Sequence, residues 1–254
     1  MTDDFTGAMV AARRSGRRAP TPAAVPEDRA AAFAAQIATL DGLGLGIAGF
    51  KVGANGRAGE PSAAPLAAGT IHRDRARITV SGHHPLWLEA ELAFVMGADL
   101  PARDARYATS EVLAAVEGLA AAIEIVDPRL ADWPKVPPLV ALADFQANGA
   151  TVVSSVGRRA DGLDVEALTV DFRMGDLVKT VPGTRYPGED AIRLLVWLAD
   201  NLGLWGAAMR ARGLKAGDVI ISGSWTSVDQ AAAGTTATNT IAGIGSVAVE
   251  IAGG

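Results

Sequence analysis

The stretch "LWLEAELAFVMG", residues 86–97, is an apolar run with two acids, Glu89 and Glu91, set two positions apart. Its length and its Leu, Phe, Val and Met content read as a β-strand. Side chains on a strand alternate faces, so residues i and i+2 point the same way, roughly 6.5–7 Å apart along the backbone. Leu88, Ala90 and Leu92 then face a core, and the two acids share the opposite face. Taken alone, that alternation describes a half-exposed strand with a polar outer side. Ala93 and Val95, however, continue the acidic face with apolar residues. The face therefore passes from polar to buried, and both carboxylates are expected at the mouth of a pocket.

A third acid has similar surroundings: Glu124 in "AAIEIVDPRL", between Ile123 and Ile125. A buried carboxylate left unpaired costs several kcal/mol even after relaxation. Three together need protonation, a Lys or Arg, or a metal. Oxygen donors without sulfur favour a hard divalent cation such as Mg²⁺ or Mn²⁺. Lys51, in the apolar, glycine-flanked "GFKVG", is either a surface lysine at a strand end or a cation beside these acids. In the second role it would stabilise an enolate or move a proton.

The totals narrow the field. With 254 residues, 49% of them hydrophobic, the chain can bury a substantial core. A formal charge of -5, with no long basic run after "ARRSGRR", argues against nucleic acid as a partner. Arg13, Arg14, Arg17 and Arg18 of that run read as a solvated helix face. The chain has no cysteine, which excludes disulfides, thiolate zinc sites and cysteine nucleophiles. No apolar run reaches the ~18 residues that a membrane helix needs, so neither a signal peptide nor a membrane span is expected. A cytoplasmic protein follows as the expectation.

Periodicity predicts a helix within residues 4–18, a connector carrying Pro20, Pro22 and Pro26, and an Ala-rich helix closing at Gly42. Residues 54–76 read as loop. "ATSEVLAAVEGLAAA" reads as a helix capped by Thr109 or Ser110, and "AIEIVD" as a short strand after it. "GLGIAG", residues 44–49, matches G-x-G-x-x-G, but a helix precedes it and a strand follows, the reverse of a dinucleotide site. It reads as a helix-ending turn. His72, His83 and His84 read as loop residues without a role. With no G-x-S-x-G elbow, nucleophilic acyl transfer lacks an obvious carrier. Few helices beside grouped strands predict an α+β fold or mixed β-roll. Residues 1–254 are expected to form a single catalytic domain, with a helical part (1–45) packing on a β-roll (46–254).

Taken together, "GFKVGANG", "EAELAFVMGADL", "AAIEIVDPRLADW", "ALADFQANGA" and "LKAGDVIISGSWT" resemble the 2-keto-4-pentenoate hydratase family of the fumarylacetoacetate hydrolase superfamily. The likeness runs from about residue 30 to the C-terminus. It implies a mixed β-roll of the fumarylacetoacetate hydrolase C-terminal-domain type with flanking helices, a Mg²⁺ or Mn²⁺ ion, and homo-oligomers built from dimers. The implied metal ligands are Glu89, Glu91 and Glu124. The implied catalytic residues are Lys51 and Asp144, and the implied substrate contacts Ser224 and Thr226. The implied activity is addition of water to a 2-hydroxy-2,4-dienoate (2-oxo-enoate), giving a 4-hydroxy-2-oxo acid in aromatic catabolism. Three alternatives stay open: decarboxylation of a vinylogous 2-oxo diacid, C–C hydrolysis of an acylpyruvate, and a non-catalytic accessory subunit. Phe145 stands where the family carries Asn, Ala147 where it carries Ser, and "YPGEDAIR" where "G-H-P" is common. With the short loop after Lys51, these departures suggest an altered, more apolar pocket.

Overall fold

The computed structural model describes residues 2–56, 58–80, 84–188 and 190–253. In chain order the helices are α1 (Thr2–Ser15), α2 (Arg29–Leu43), α3 (Thr109–Ala114), α4 (Pro138–Ala143), α5 (Ala191–Asn201) and α6 (Ala207–Arg212). The strands are β1 (Ile47–Gly53), β2 (Ser62–Ala67), β3 (Ile71–Arg73), β4 (Ala76–Val80), β5 (Leu86–Met96), β6 (Val116–Val126) and β7 (Asn148–Val153). They continue with β8 (Thr169–Met174), β9 (Leu177–Pro182), β10 (Val219–Ile221), β11 (Asp229–Ala231), β12 (Thr236–Ile241) and β13 (Gly245–Gly253). Two mixed sheets result. One runs β2-β1-β10-β5-β6-β7-β3, with β11 extending the pairing along β5; the other runs β4-β13-β12-β8-β9. This is the α+β roll expected. Among the described residues no helix is long and apolar enough to cross a membrane.

The stretch 86–96 decides the layering. Leu86, Leu88, Ala90, Leu92, Phe94 and Met96 join the main core with Val170 and Phe172 of β8 and Val247, Val249 and Ile251 of β13. The odd-numbered face turns the other way. Ala93 and Val95 pack with Leu66, Ala120, Ala122, Val219 and Ile221, so the first sheet curls around its own inner face. Alanines at 93, 120 and 122 leave the concave side room to close. The acidic face does pass from polar to buried, as its sequence predicts.

Several local expectations need correction. Helix α2 runs past Gly42 and ends where Gly44 takes a left-handed φ of 68°; the G-x-G-x-x-G run is that helix end leading into β1. Residues 54–76 contain β2, whose alanines are weak strand formers, and β3, which is only three residues long. His72 lies in β3, and His83 lies outside the described residues. The helix starting at Thr109 stops at Ala114, and the chain runs extended from Val116. Its alanines serve the crowded concave face, which overrides their helix propensity. Its first turn is capped by Glu111, whose carboxylate accepts from the Ala108 N–H at 2.8 Å, not by Thr109 or Ser110. Arg13, Arg14 and Arg18 are not a free solvated face. Arg13 lies over the Phe145 ring, Arg14 donates to the Gly42 carbonyl, and Arg18 donates to the Pro85 and Pro128 carbonyls.

Gln36 ties the helical layer to the sheet. It is fully buried, donates to the Leu142 carbonyl at 2.6 Å, and accepts from Trp205 Nε1 at 2.6 Å. Gln36→Leu keeps the volume but leaves the Trp205 N–H and the Leu142 carbonyl without partners. It should lower unfolding stability by about 2–4 kcal/mol, read from urea denaturation; an unchanged midpoint would mean these groups find other partners.

Candidate metal centre

The cross-strand register brings the acids together. Glu89 on β5 sits opposite Glu124 on β6, and Glu91 opposite Ala122. One carboxylate oxygen from each glutamate lies within 4.8 Å of the others. Lys51 arrives from β1, two strands away, because β10 lies between β1 and β5 and aligns Lys51 with Ile221 and Ile221 with Ala93. Its Nζ donates to both Glu124 oxygens at 2.6 and 2.8 Å and to the Gln146 carbonyl at 3.3 Å. Glu91 and Glu124 are fully buried, and Lys51 is nearly so.

Each acid has a different environment. Glu124 also accepts from Asn148 Nδ2 at 2.8 Å. Burial opposes its charge, but Lys51, Glu91 and Asn148 together hold its carboxyl below the usual carboxylate range. Burial and the Glu124 charge push Glu89 up to about 7, with Lys51 opposing. Glu91 is pushed well above its ordinary value by burial first and the Glu124 charge second. Burial would discharge Lys51, yet the charges of Glu124, Glu89 and Glu91 outweigh it and raise its pKa. Three crowded carboxylates and one ammonium thus leave protons trapped on the acids.

Glu91 is built for a further partner. One of its oxygens accepts from the Gly223 N–H at 2.8 Å, while Oε1 is buried and no N–H reaches it, and the carboxyl shares a proton with Glu124. Gly223 follows β10 with φ of 93°, a conformation open to glycine, and this turns its N–H toward the carboxylate. From behind, Asn239 on β12 donates to the backbone carbonyls of Glu91 at 3.0 Å and Ala122 at 2.7 Å. An all-carboxylate donor set with a buried oxygen that no N–H reaches fits a hard divalent cation. The cluster floors a cavity of about 690 Å³ whose wall includes Asn55, Ser62, Gln146, Tyr186 and Ser224. Val52, Ala54 and Pro187 also line it, so polar and apolar groups share the wall.

The family's "A-D-N-A-S" position, here "ADFQANG", forms an unusual turn. Phe145, Gln146 and Ala147 all have φ between 51° and 62°, a left-handed run of non-glycine residues. Such residues cost about 1–2 kcal/mol each and persist only where their surroundings enforce them. Arg129 does the enforcing. It donates from its backbone N and Nε to the Asp144 carboxylate at 2.9 and 2.6 Å, from Nη2 to the Asp144 carbonyl at 2.8 Å, and from Nη1 to the Asn148 carbonyl at 2.6 Å. The turn thereby presents the Gln146 carbonyl to Lys51 and the Asn148 amide to Glu124. Phe145 and Ala147 are buried away from the cavity; Phe145 packs with Leu40, Ala64 and Ala67.

The expected site residues therefore separate. Glu89, Glu91, Glu124 and Lys51 converge, and Ser224 joins them at Glu89. Asp144 does not reach Lys51, because Arg129 holds its carboxylate. Thr226 is set back from the cavity: its hydroxyl accepts from the Ala90 N–H at 3.2 Å and anchors the 222–228 loop on β5. Sequence reasoning missed Asn148, Gln146, Gly223, Tyr186 and Asn239. Tyr186, whose hydroxyl donates to the Ser222 carbonyl, was flagged only as a departure in "YPGED".

Residues 58–252 match the model of the fumarylacetoacetate (FAA) hydrolase C-terminal family. The 2-keto-4-pentenoate hydratase of Paraburkholderia xenovorans is 32% identical over 178 residues, 70% of this chain and 63% of that protein. The chain thus spans less than two thirds of that relative in the matched region. The 2-keto-4-pentenoate hydratase of Paraburkholderia phymatum is 28% identical over 97% of this chain and 98% of its own length. Among solved structures, 4-oxalocrotonate decarboxylase from Pseudomonas putida G7, complexed with magnesium and adipate, superposes with a TM-score of 0.79 at 20% identity, covering 99% of this chain and 98% of that one. Matched over most of its length by the family model, the chain belongs to the fumarylacetoacetate hydrolase C-terminal family.

Proposed function

We propose that residues 1–254 act as one catalytic domain, a Mg²⁺- or Mn²⁺-dependent lyase that adds water to a 2-hydroxy-2,4-dienoate (2-oxo-enoate) to give a 4-hydroxy-2-oxo acid. The proposal includes a cytoplasmic location and a homo-oligomer built from dimers. The observation that carries it is the convergence of Glu89, Glu91 and Glu124 beside Lys51 on the cavity floor, with Glu91 Oε1 buried and reached by no N–H donor. The hydratases among the relatives support the choice of reaction.

A divalent ion held by Glu89, Glu91 and Glu124 supplies Lewis-acid polarisation of the substrate's 2-oxo group. The chain's own residues do the rest. Lys51, kept protonated by the glutamates, is a fixed donor beside the cavity floor and balances negative charge as it develops at the substrate's C2 oxygen. Ketonisation moves the 2-hydroxyl proton to C5 and leaves C3=C4 conjugated to the ketone, so water can add its hydroxyl at C4 and a proton at C3. The polar wall at Asn55, Ser62, Gln146 and Tyr186 provides hydrogen-bonding groups for that water and for the product hydroxyl. Asp144 serves as a positioning residue through Arg129, and Ser224 orients Glu89.

Glu91→Gln keeps the shape and removes the charge. Divalent-metal affinity measured by calorimetry should fall at least about 100-fold, with turnover of the dienol falling in parallel and circular dichroism unchanged. Wild-type affinity and rate in this variant would sink the assignment. Product analysis by mass decides the reaction: a 4-hydroxy-2-oxo acid supports hydration, whereas released carbon dioxide would reassign the enzyme to decarboxylation.

Metal binding should be linked to protons. Glu89 must lose its proton to serve as a ligand, so affinity should rise with pH up to and through about 7. Calorimetry in buffers of different ionisation enthalpy should show proton release below that pH. In metal-free protein the sign is opposite. A carboxyl raised in the folded state favours folding at low pH, and that contribution is lost as pH climbs through about 7. The thermal midpoint of the metal-free protein should fall over that window, and added Mg²⁺ should flatten the fall.

Asp144→Asn tests positioning against proton transfer. Loosening the Arg129 clamp should slow turnover by up to about 100-fold while leaving the pH profile in place; a displaced profile would make Asp144 a proton carrier.

A further inference from the structure

A second cavity, of about 290 Å³, is lined by Gly149 and by Arg129, the residue that clamps the 144–148 turn. Five arginines line it (Arg13, Arg14, Arg17, Arg18 and Arg129), together with His84, against one acid, Asp127. Among the described residues Arg129 pairs with Asp144, whereas Arg13, Arg14, Arg17 and Arg18 form no ion pair. Arg13 and Arg129 both donate to the Asn148 carbonyl, at 3.2 and 2.6 Å, which draws two guanidinium groups onto one acceptor. Arg13 Nε and His84 Nδ1 are buried without hydrogen-bond partners, and His84 Nδ1 faces the buried Asp127 Oδ1 at 3.6 Å. Burial and the neighbouring Arg129 charge lower the Arg13 pKa to about 9, against the pull of Asp144 and Asp127.

This positive crowding stands out in a chain whose formal charge is -5. It mirrors the carboxylate cluster with the sign reversed. Guanidinium forks match the oxygens of phosphate and carboxylate groups two at a time. The cavity has room for a small ion, and Arg17, with no side-chain partner among the described residues, stands at its edge. Ala12, Leu43, Leu45 and Pro128 supply the apolar part of the lining, and every charged arm that lines the cavity is a guanidinium except Asp127.

We propose that this cavity is a binding site for a small dianion bearing phosphate or paired carboxylate oxygens, held by Arg13, Arg17 and Arg18 behind the turn that supports Lys51 and Glu124. The bound anion neutralises the guanidinium cluster and relieves the repulsion between Arg13 and Arg129 at the Asn148 carbonyl. Because Arg13 also lies 4.5 Å from the centroid of the Phe145 ring, the occupant firms the left-handed turn from outside the reaction cavity. The inference rests on these residues alone and is independent of the lyase reading.

The test titrates the full-length protein, with Mg²⁺ present, with potassium phosphate and separately with succinate. Potassium chloride holds ionic strength constant, and heat and thermal midpoint are followed. One saturable site with a raised midpoint is expected; the anion giving the tighter binding identifies the headgroup chemistry. Arg17→Glu, an exposed position, should weaken binding at least about tenfold without altering circular dichroism. Glu91→Gln, at the carboxylate cluster, should leave anion binding intact, which separates this site from the metal centre. Arg106→Glu, an exposed charge reversal outside the cavity, should also leave it intact. Absence of saturable binding, equal affinity in Arg17→Glu, or loss in Glu91→Gln would each overturn the proposal. So would a salt-sensitive dimer with no anion binding, which would assign the arginines to an acidic surface of a second copy.

Discussion

The arrangement of the first sheet answers to one constraint: like charges must not be left to confront each other in an apolar interior. Three carboxylates share the floor of the cavity, and one ammonium offsets one of them. When all are ionised, two negative charges remain, which a doubly charged cation neutralises. An anionic substrate would then meet a neutral floor instead of a repulsive one. Lys51 therefore matters for charge balance as well as for any direct contact. Its position follows from β10, the short strand that carries β1 into register with β5.

The structure then spends its unusual features on holding this cluster in place. The left-handed run at Phe145–Ala147 is costly, and Arg129 fixes both ends of it through Asp144 and Asn148. Gly223 adopts a conformation that aims its amide at Glu91, and Asn239 braces the backbone of the same residue from the second sheet. The departures at Phe145 and Ala147 acquire a physical meaning here. They shape the outer side of the turn and do not line the cavity, so the turn's contribution to the wall comes from Gln146.

Much of this was legible in the chain. Strand alternation placed Glu89 and Glu91 on one face, and the apolar residues beyond them correctly marked where that face becomes buried. The resemblance brought Lys51 and Glu124 to the same site. Other features left no local trace. The alanines of β2 and β6 resemble loop or helix because their small size serves a concave sheet and not a propensity. The β8–β9 hairpin has only a short local signal, the Gly175–Asp176 turn. Non-glycine residues at positive φ carry no sequence mark at all. The Arg129–Asp144 pair joins two segments through a turn that neither segment predicts.

Strand order has a consequence for how the protein is made. β10 leaves the ribosome long after β1, β5 and β6, and Lys51 has no place beside the glutamates until β10 has slotted between its neighbours. Asn239, which steadies Glu91, emerges later still. Before β10 is made the counter-charge cannot be in place, and before β12 is made the brace cannot, so any earlier pairing of β5 with β6 forms without them. Chain order thus places the strand that positions the counter-charge, and the residue that braces Glu91, after the acids themselves.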